Sequence, residues 1–309
     1  MHLQTRIREK PHVTRDDIKR ALRRLGVRRG SKVMVHSSLS SFGYVEPTEG
    51  LEDDAIIEAM SQGADGQTKE RLLSKVRGAN TVIAALLECV GDEGIVMMPS
   101  FNHGSVDVYD PLTTPSSSGI ITDVFWRRSG VRRSLHPTHP YAAAGRDAEQ
   151  VLAGNTEAST YGKDNPLGKL IFQGCRILLL GAGLNTCTAM HVGESVAGVK
   201  CLGYREGLGK VLKDGRIVYV RTDVWRAAGQ CPVESAILEE RMRRAGMIRD
   251  TQVGEAQLHL MKGLDLVNTV VQLCEENCFQ RCPIRPDYGR ELKKLQQELL
   301  SLQQRGRLP

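Results

Sequence analysis

His191 and Glu194 stand three residues apart in the stretch LLLGAGLNTCTAMHVGES, Leu178 to Ser195, and Cys187 lies four residues before the histidine. On a helix such spacings bring side chains to a common face. A carboxylate beside an imidazole favours its protonated form, the arrangement that suits a general base. A thiol near a helix N-terminus can be activated as a nucleophile, but cysteine is among the most buried residue types, so packing is the stronger reading for Cys187. The same stretch passes through Gly181 and Gly183, the first two glycines of a dinucleotide fingerprint. The third position is Thr186 and no acidic residue closes a clear next strand about 20 positions on. Two glycines easing a tight strand-to-helix turn explain the pattern better.

Two further clusters carry polar chemistry. SLHPTHPY, Ser134 to Tyr141, holds His136 and His139 each before a proline, which fixes the backbone and predicts a defined loop. VHSSLSSFG, Val35 to Gly43, offers four serine hydroxyls and consecutive backbone N–H groups, which together can cradle phosphate without a Walker lysine. A polar turn is the plainer alternative. With His36, His103 and His191, five of the eight histidines follow strand-end or loop signals, yet no H-x-x-x-H or H-E-x-x-H pattern occurs, so no metal is expected. No G-x-S-x-G elbow is present to support a hydrolase.

These residues need a scaffold. KVMVHSS, GIVMMPSF and CRILLLGAG read as three buried strands separated by helical patterns such as ANTVIAALLECVG. The fold class expected is α/β, with a mixed, largely parallel central sheet flanked by helices, an antiparallel hairpin and a helical insertion. All three runs end in small polar residues, and ligands bind beyond the carboxyl ends of such strands. Thr14 with Asp17 resembles a capping box, and Gly26 stops a helix near 14–25. KVLKDGRIVYV predicts a hairpin that adds a ribbon to the sheet, turning at Asp214–Gly215. Residues 51–78 read as an inserted charged helical pair, placed where it could fold over the site, and VGEAQLHLMKGLDLVNTVVQLCEEN reads as one long helical pattern. A single domain over 1–309 follows, with a C-terminal helical extension at 285–309.

The 309 residues are 40% hydrophobic and 25% charged, the balance of an ordinary globular protein. No apolar run approaches the roughly 20 residues of a membrane helix, and the N-terminus has no signal-peptide core, so a cytoplasmic enzyme without membrane attachment is expected. The net charge of +6 is dispersed and aromatic residues are only 5%, which disfavours nucleic acid. Cys274, Cys278 and Cys282 are spaced by four, but three thiols without a second ligand pair are better read as free than as a zinc clip. Six acidic residues from Glu46 to Glu58 offer either a solvated face or a local negative surface for a polycation.

In their order and spacing these segments, together with DPLTTPSSSGIITDVFWRRSGVRRSLHPTHPYAAAG, resemble the aminoglycoside 3-N-acetyltransferase family over most of residues 30–270. The resemblance implies acetyl-coenzyme A as donor and an amine of a 2-deoxystreptamine aminoglycoside, or a similar polyamine, as acceptor. It implies His191 as catalytic base with Glu194 positioning it or meeting the substrate ammonium. His36, the loop Ser37, Ser38, Leu39, Ser40 and Ser41, and His136 and Thr138 would hold the cofactor. His139, Asp110 and Asn185 would meet the acceptor, and a homodimer stays open. Asn185, Cys187 and Pro140 depart from the family pattern, which keeps a divergent acyltransferase or a coenzyme A-binding protein without this activity as alternatives.

Overall fold

The computed structural model describes residues 10–50, 54–63, 65–155, 160–199, 204–225 and 235–281. Its centre is formed by the three apolar runs: β2 (Lys32–Ser37), β4 (Ile95–Pro99) and β8 (Arg176–Leu180). β2 runs parallel to both of its neighbours, with His36 opposite Leu179 and Val33 opposite Val96. Each strand alternates between two cores. Met34, Met97, Ile177 and Leu179 face one, while Val33, Val35, Met98 and Leu178 face the other. Burial on both faces is why these strands read as unbroken apolar runs rather than as alternating ones.

One core lies under α1 (Arg15–Leu25), α3 (Gly66–Val90) and α4 (Ile120–Phe125). The other lies under α6 (Pro166–Phe172), α7 (Ala189–Val196), α8 (Ser235–Arg244) and α9 (Gly263–Arg281). The α1 boundaries follow the local signals. Thr14 Oγ1 accepts from Asp17 N at 3.2 Å, Asp17 accepts from Thr14 N at 3.0 Å, and Gly26 closes the helix with φ 100°.

The sheet is mixed, and its parallel character is confined to those three strands. β12 (Ala256–Lys262) joins β8 antiparallel and β11 (Arg249–Val253) joins β12; on the other side β7 (Tyr141–Gly145) joins β4 and β6 (Arg132–Arg133) joins β7, again antiparallel. The full order is β11-β12-β8-β2-β4-β7-β6. A long helix from Val253 is therefore not what forms. AQLHLMK buries alternate residues as a strand, and the helix starts only at Gly263.

The hairpin turns where expected, since Lys213 pairs with Arg216 and Asp214 and Gly215 both adopt positive φ, 51° and 73°. It does not join the central sheet. β9 (Tyr204–Lys213) and β10 (Arg216–Trp225) form a separate three-stranded sheet with β5 (Val108–Tyr109). The helical pair also differs from expectation. Its first member is α2 (Asp54–Met60), but its second does not stop at Gly78, because α3 continues unbroken to Val90 as a core helix. Residues 51–53, Cys282 and the extension at 285–309 lie outside the described residues, as does the Cys278 side chain; Cys274 is buried in the core. No described helix is long and apolar enough to cross a membrane.

Candidate active site

The central strands deliver their carboxyl ends to one place. Ser37 pairs with Leu180, so β2 and β8 end side by side, and Pro99 at the end of β4 pairs with Tyr141 at the start of antiparallel β7. The histidine loop preceding β7 therefore arrives at the same end as the serine loop after β2 and the glycine turn after β8. Between them lies a cleft of about 890 Å³, lined by His36, Ser37, Ser38, Thr138, His139, Asn185 and His191, among others.

His191 and Glu194 sit on α7, which is held against α9 by Gly193. A Cβ there would lie 2.6 Å from Val270 Cβ, so only glycine permits this approach. His191 Nδ1 is 2.7 Å from Glu194 Oε2. The imidazole side chain is 26% exposed and the carboxylate 3%, so the histidine reaches the cleft and the glutamate lies buried against it. With Nδ1–H donating to the carboxylate, Nε2 carries the lone pair that can take a proton. Glu194 does not line the cleft. Its buried carboxylate meets the His191 ring and not the cleft itself.

Cys187 is not on the helix with His191; it closes the short 3-10 turn Leu184–Thr186, two residues before α7 begins. Burial pushes its thiol up to about 12, against the opposing pull of the Ala189 and Met190 amides. A thiol so far from ionising is a core residue, not a nucleophile.

The neighbouring histidines divide into distinct roles. His136 is fully buried, its Nδ1 accepts from His139 N at 2.9 Å and Thr138 N at 3.2 Å, which builds the loop, and it does not line the cleft. His139 lines the cleft, with Nδ1 2.8 Å from Thr138 Oγ1 and its ring edge-on to Phe101 at 4.8 Å. Burial, then the neighbouring imidazoles, holds it well below the usual histidine range. His36 also lines the cleft, and burial followed by the His191 charge lowers it to about 4. Burial thus favours the neutral ring at His36, His136 and His139.

The serine loop divides similarly. Ser37 and Ser38 line the cleft, whereas Leu39, Ser40 and Ser41 do not. Leu39 packs against the core under α1, α3 and α4, and Ser41 Oγ donates to Gly181 O at 2.7 Å, tying the loop to the turn after β8. Gly181 has φ 66°, and a Cβ would lie 2.6 Å from Ser41 Cβ, which is why the two loops can meet. Asp110 is elsewhere. It organises its own turn by accepting from Leu112 N and Thr113 Oγ1, and it faces a different cleft.

Several lining residues had no local sequence signal. Tyr161 lies 4.9 Å from the His191 ring and 5.6 Å from His139, and Phe101 and His103 close the same wall. His103, unlike Tyr161 and Phe101, carried a signal as a strand-end histidine, and it follows β4 with φ 53°. Among the described residues no group of three or more His, Cys, Asp or Glu side chains could hold a metal ion.

The sequence profile described as aminoglycoside 3-N-acetyltransferase matches residues 71–275. Aminoglycoside N(3)-acetyltransferase VII of Streptomyces paromomycinus is 28% identical over 298 residues, 85% of this chain and 92% of that protein. The crystallised AAC-IIIb in binary complex with CoASH superposes with a TM-score of 0.70 at 21% identity, covering 86% of this chain and 97% of that one. AAC-VIa bound to sisomicin gives 0.65 at 24% identity, covering 86% and 98%. A profile matching well over half of the chain, on this fold, shows that the chain belongs to the aminoglycoside 3-N-acetyltransferase family.

Proposed function

We propose that the protein transfers the acetyl group of acetyl-coenzyme A to the 3-amino group of a 2-deoxystreptamine aminoglycoside, with His191 as the general base in a direct attack. The observation that carries this reading is the His191–Glu194 pair at the wall of a cleft, with Nε2 as its basic atom. An alkylammonium is protonated at neutral pH and must lose a proton before its nitrogen can attack. Nε2 takes that proton, and the buried carboxylate at Nδ1 stabilises the imidazolium that forms. The same proton is then available to the departing thiolate.

The cleft fits the cofactor in one specific respect. Ser37 Oγ is buried at its wall without a hydrogen-bond partner, a group that a polar ligand atom would satisfy. When bound, acetyl-coenzyme A supplies the activated acyl thioester. Ser37 and Ser38 would hold it at the end of β2, and His139 with Thr138 would border it from the facing loop. Asn185 lines the same cleft and is assigned to the acceptor side. α2 offers its Ala55, Ile56 and Ala59 to the other cleft, and none of its described residues lines this one.

Purified protein with acetyl-coenzyme A and a panel of aminoglycosides, followed by thiol release and by locating the acetylated nitrogen by NMR, tests the proposal. Acetylation at the 3-amino group supports it. Absence of thiol release with every aminoglycoside while coenzyme A still binds would assign the chain to cofactor binding instead.

A further inference from the structure

The second cleft, about 1340 Å³, is the larger of the two, and neither His191 nor Glu194 lines it. Five cationic side chains line it against three carboxylates. Of those carboxylates, Glu149 already pairs with Arg132 at 3.4 Å and Asp110 is spent on its own turn. The arginines are unusual in what balances them. Arg127 and Arg133 both lie over the Trp126 ring, at 4.0 and 4.2 Å. Arg133 spends its donors on neutral oxygens, the Ser100 and Thr114 carbonyls and Ser100 Oγ. Arg127 pairs with Asp123 at 3.7 Å, and Asp123 Oδ1 also accepts from Trp126 Nε1 and Ser116 N, each at 2.8 Å.

Two residues that line this cleft each hold a buried polar atom with no hydrogen-bond partner. One is Arg127 Nε, on a side chain only 12% exposed; the other is Asn155 Oδ1, whose Nδ2 donates to Ser134 Oγ at 2.8 Å. An unsatisfied buried donor or acceptor is costly, so two on residues of one cleft wall point to bonding that a ligand could complete. The donor is a guanidinium in positive surroundings, whose fork matches the oxygens of a phosphate. The acceptor suits the P–OH of a monoprotonated phosphate or a hydroxyl beside it. Burial lowers the guanidinium pKa of both Arg127 and Arg133, in keeping with charge that lacks full compensation.

We infer that the cleft bounded by Trp126, Arg127, Arg132 and Asn155 binds a phosphate group, with Arg127 as its principal contact. Two sources carry that chemistry: the phosphates of coenzyme A, and a separate phosphorylated metabolite. The inference does not rest on acetyl transfer, because binding can be read without turnover.

The chain has two tryptophans, so Trp225→Phe leaves Trp126 as the fluorescent reporter beneath Arg127. Inorganic phosphate and pyrophosphate are titrated into this variant at ionic strength held constant with chloride. A saturable change in emission is expected, weakened about tenfold or more by Arg127→Gln, the loss typical of a charge-assisted bond. Unfolding midpoints check that this variant is folded; if it is not, exposed Arg132→Gln is used and should weaken binding a few-fold. No saturable response beyond that of chloride, or unchanged affinity in a folded Arg127→Gln protein, overturns the inference. Phosphate competing with acetyl-coenzyme A in steady-state kinetics identifies the cofactor as the source. Phosphate binding that leaves the acetyl-coenzyme A KM untouched identifies a separate ligand.

Discussion

Glu194→Gln isolates what the buried carboxylate does. Glutamine keeps the volume and an acceptor oxygen for His191 Nδ1–H, so the ring stays oriented while the negative charge is lost. The interaction is 2.7 Å long and the carboxylate only 3% exposed, so solvent screens it little. Hydrogen bonds to charged groups contribute about 1.5–3 kcal/mol, and the upper part of that range applies to a short, buried contact. Because the imidazolium exists only once the proton has moved, the loss falls on the chemical step. A deficit of about 2–3 kcal/mol is a fall in kcat of about 30- to 150-fold. Neither KM should move, since Glu194 does not line the cleft. Thiol release at saturating substrates measures kcat, and thermal unfolding confirms the fold. A folded Glu194→Gln protein with kcat within about threefold of the parent would refute the role given to the charge.

Ser37→Ala removes a buried hydroxyl with no partner in the free protein, so the unfolding midpoint should hold or rise. The acetyl-coenzyme A KM should nevertheless rise about 2- to 10-fold, the value of one neutral hydrogen bond, with the aminoglycoside KM unchanged. Cys187→Ala should keep turnover, because a thiol raised to about 12 is not a nucleophile, while losing about 1–3 kcal/mol of stability in denaturant titrations. An acetyl-thioester trapped on Cys187 would contradict this. Burial holds His36 and His136 at about 4, below the ordinary 6.5, so unfolding takes up protons between these values. Their stabilisation is complete above pH 6.5 and is lost as pH falls towards 4, by about 3 kcal/mol each. His136→Gln should flatten that fall in the unfolding midpoint; an unchanged slope would place the titration elsewhere.

What was legible in the sequence followed from local chemistry. Thr14, Asp17 and Gly26 state the limits of α1, and Asp214–Gly215 states the hairpin turn, because each acts on backbone within a few residues. The His191–Glu194 contact was legible because a single helical turn carries it. What failed depended on remote partners. AQLHLMK satisfies both helical and strand spacing over so short a length, and only pairing with β8 decides for a strand. Gly78 looks like a helix end, yet it sits mid-helix where α3 passes Val45, with a Cβ position 3.5 Å away. Tyr161 reaches His191 from a loop thirty residues upstream, and no spacing rule connects them. The resemblance puts Asp110 at the acceptor, while its own turn holds it at the other cleft.

Proton transfer at His191 Nε2 is read out by His191→Ala when turnover and coenzyme A affinity are measured on the same preparation. The predicted result is a loss of about 10² to 10⁴ in kcat, the usual contribution of a general base, with coenzyme A binding by calorimetry nearly unchanged. Near-normal turnover would contradict the account and move the base to another group at the cleft. Parallel loss of coenzyme A binding would contradict it as well, by making His191 a cofactor contact rather than a base.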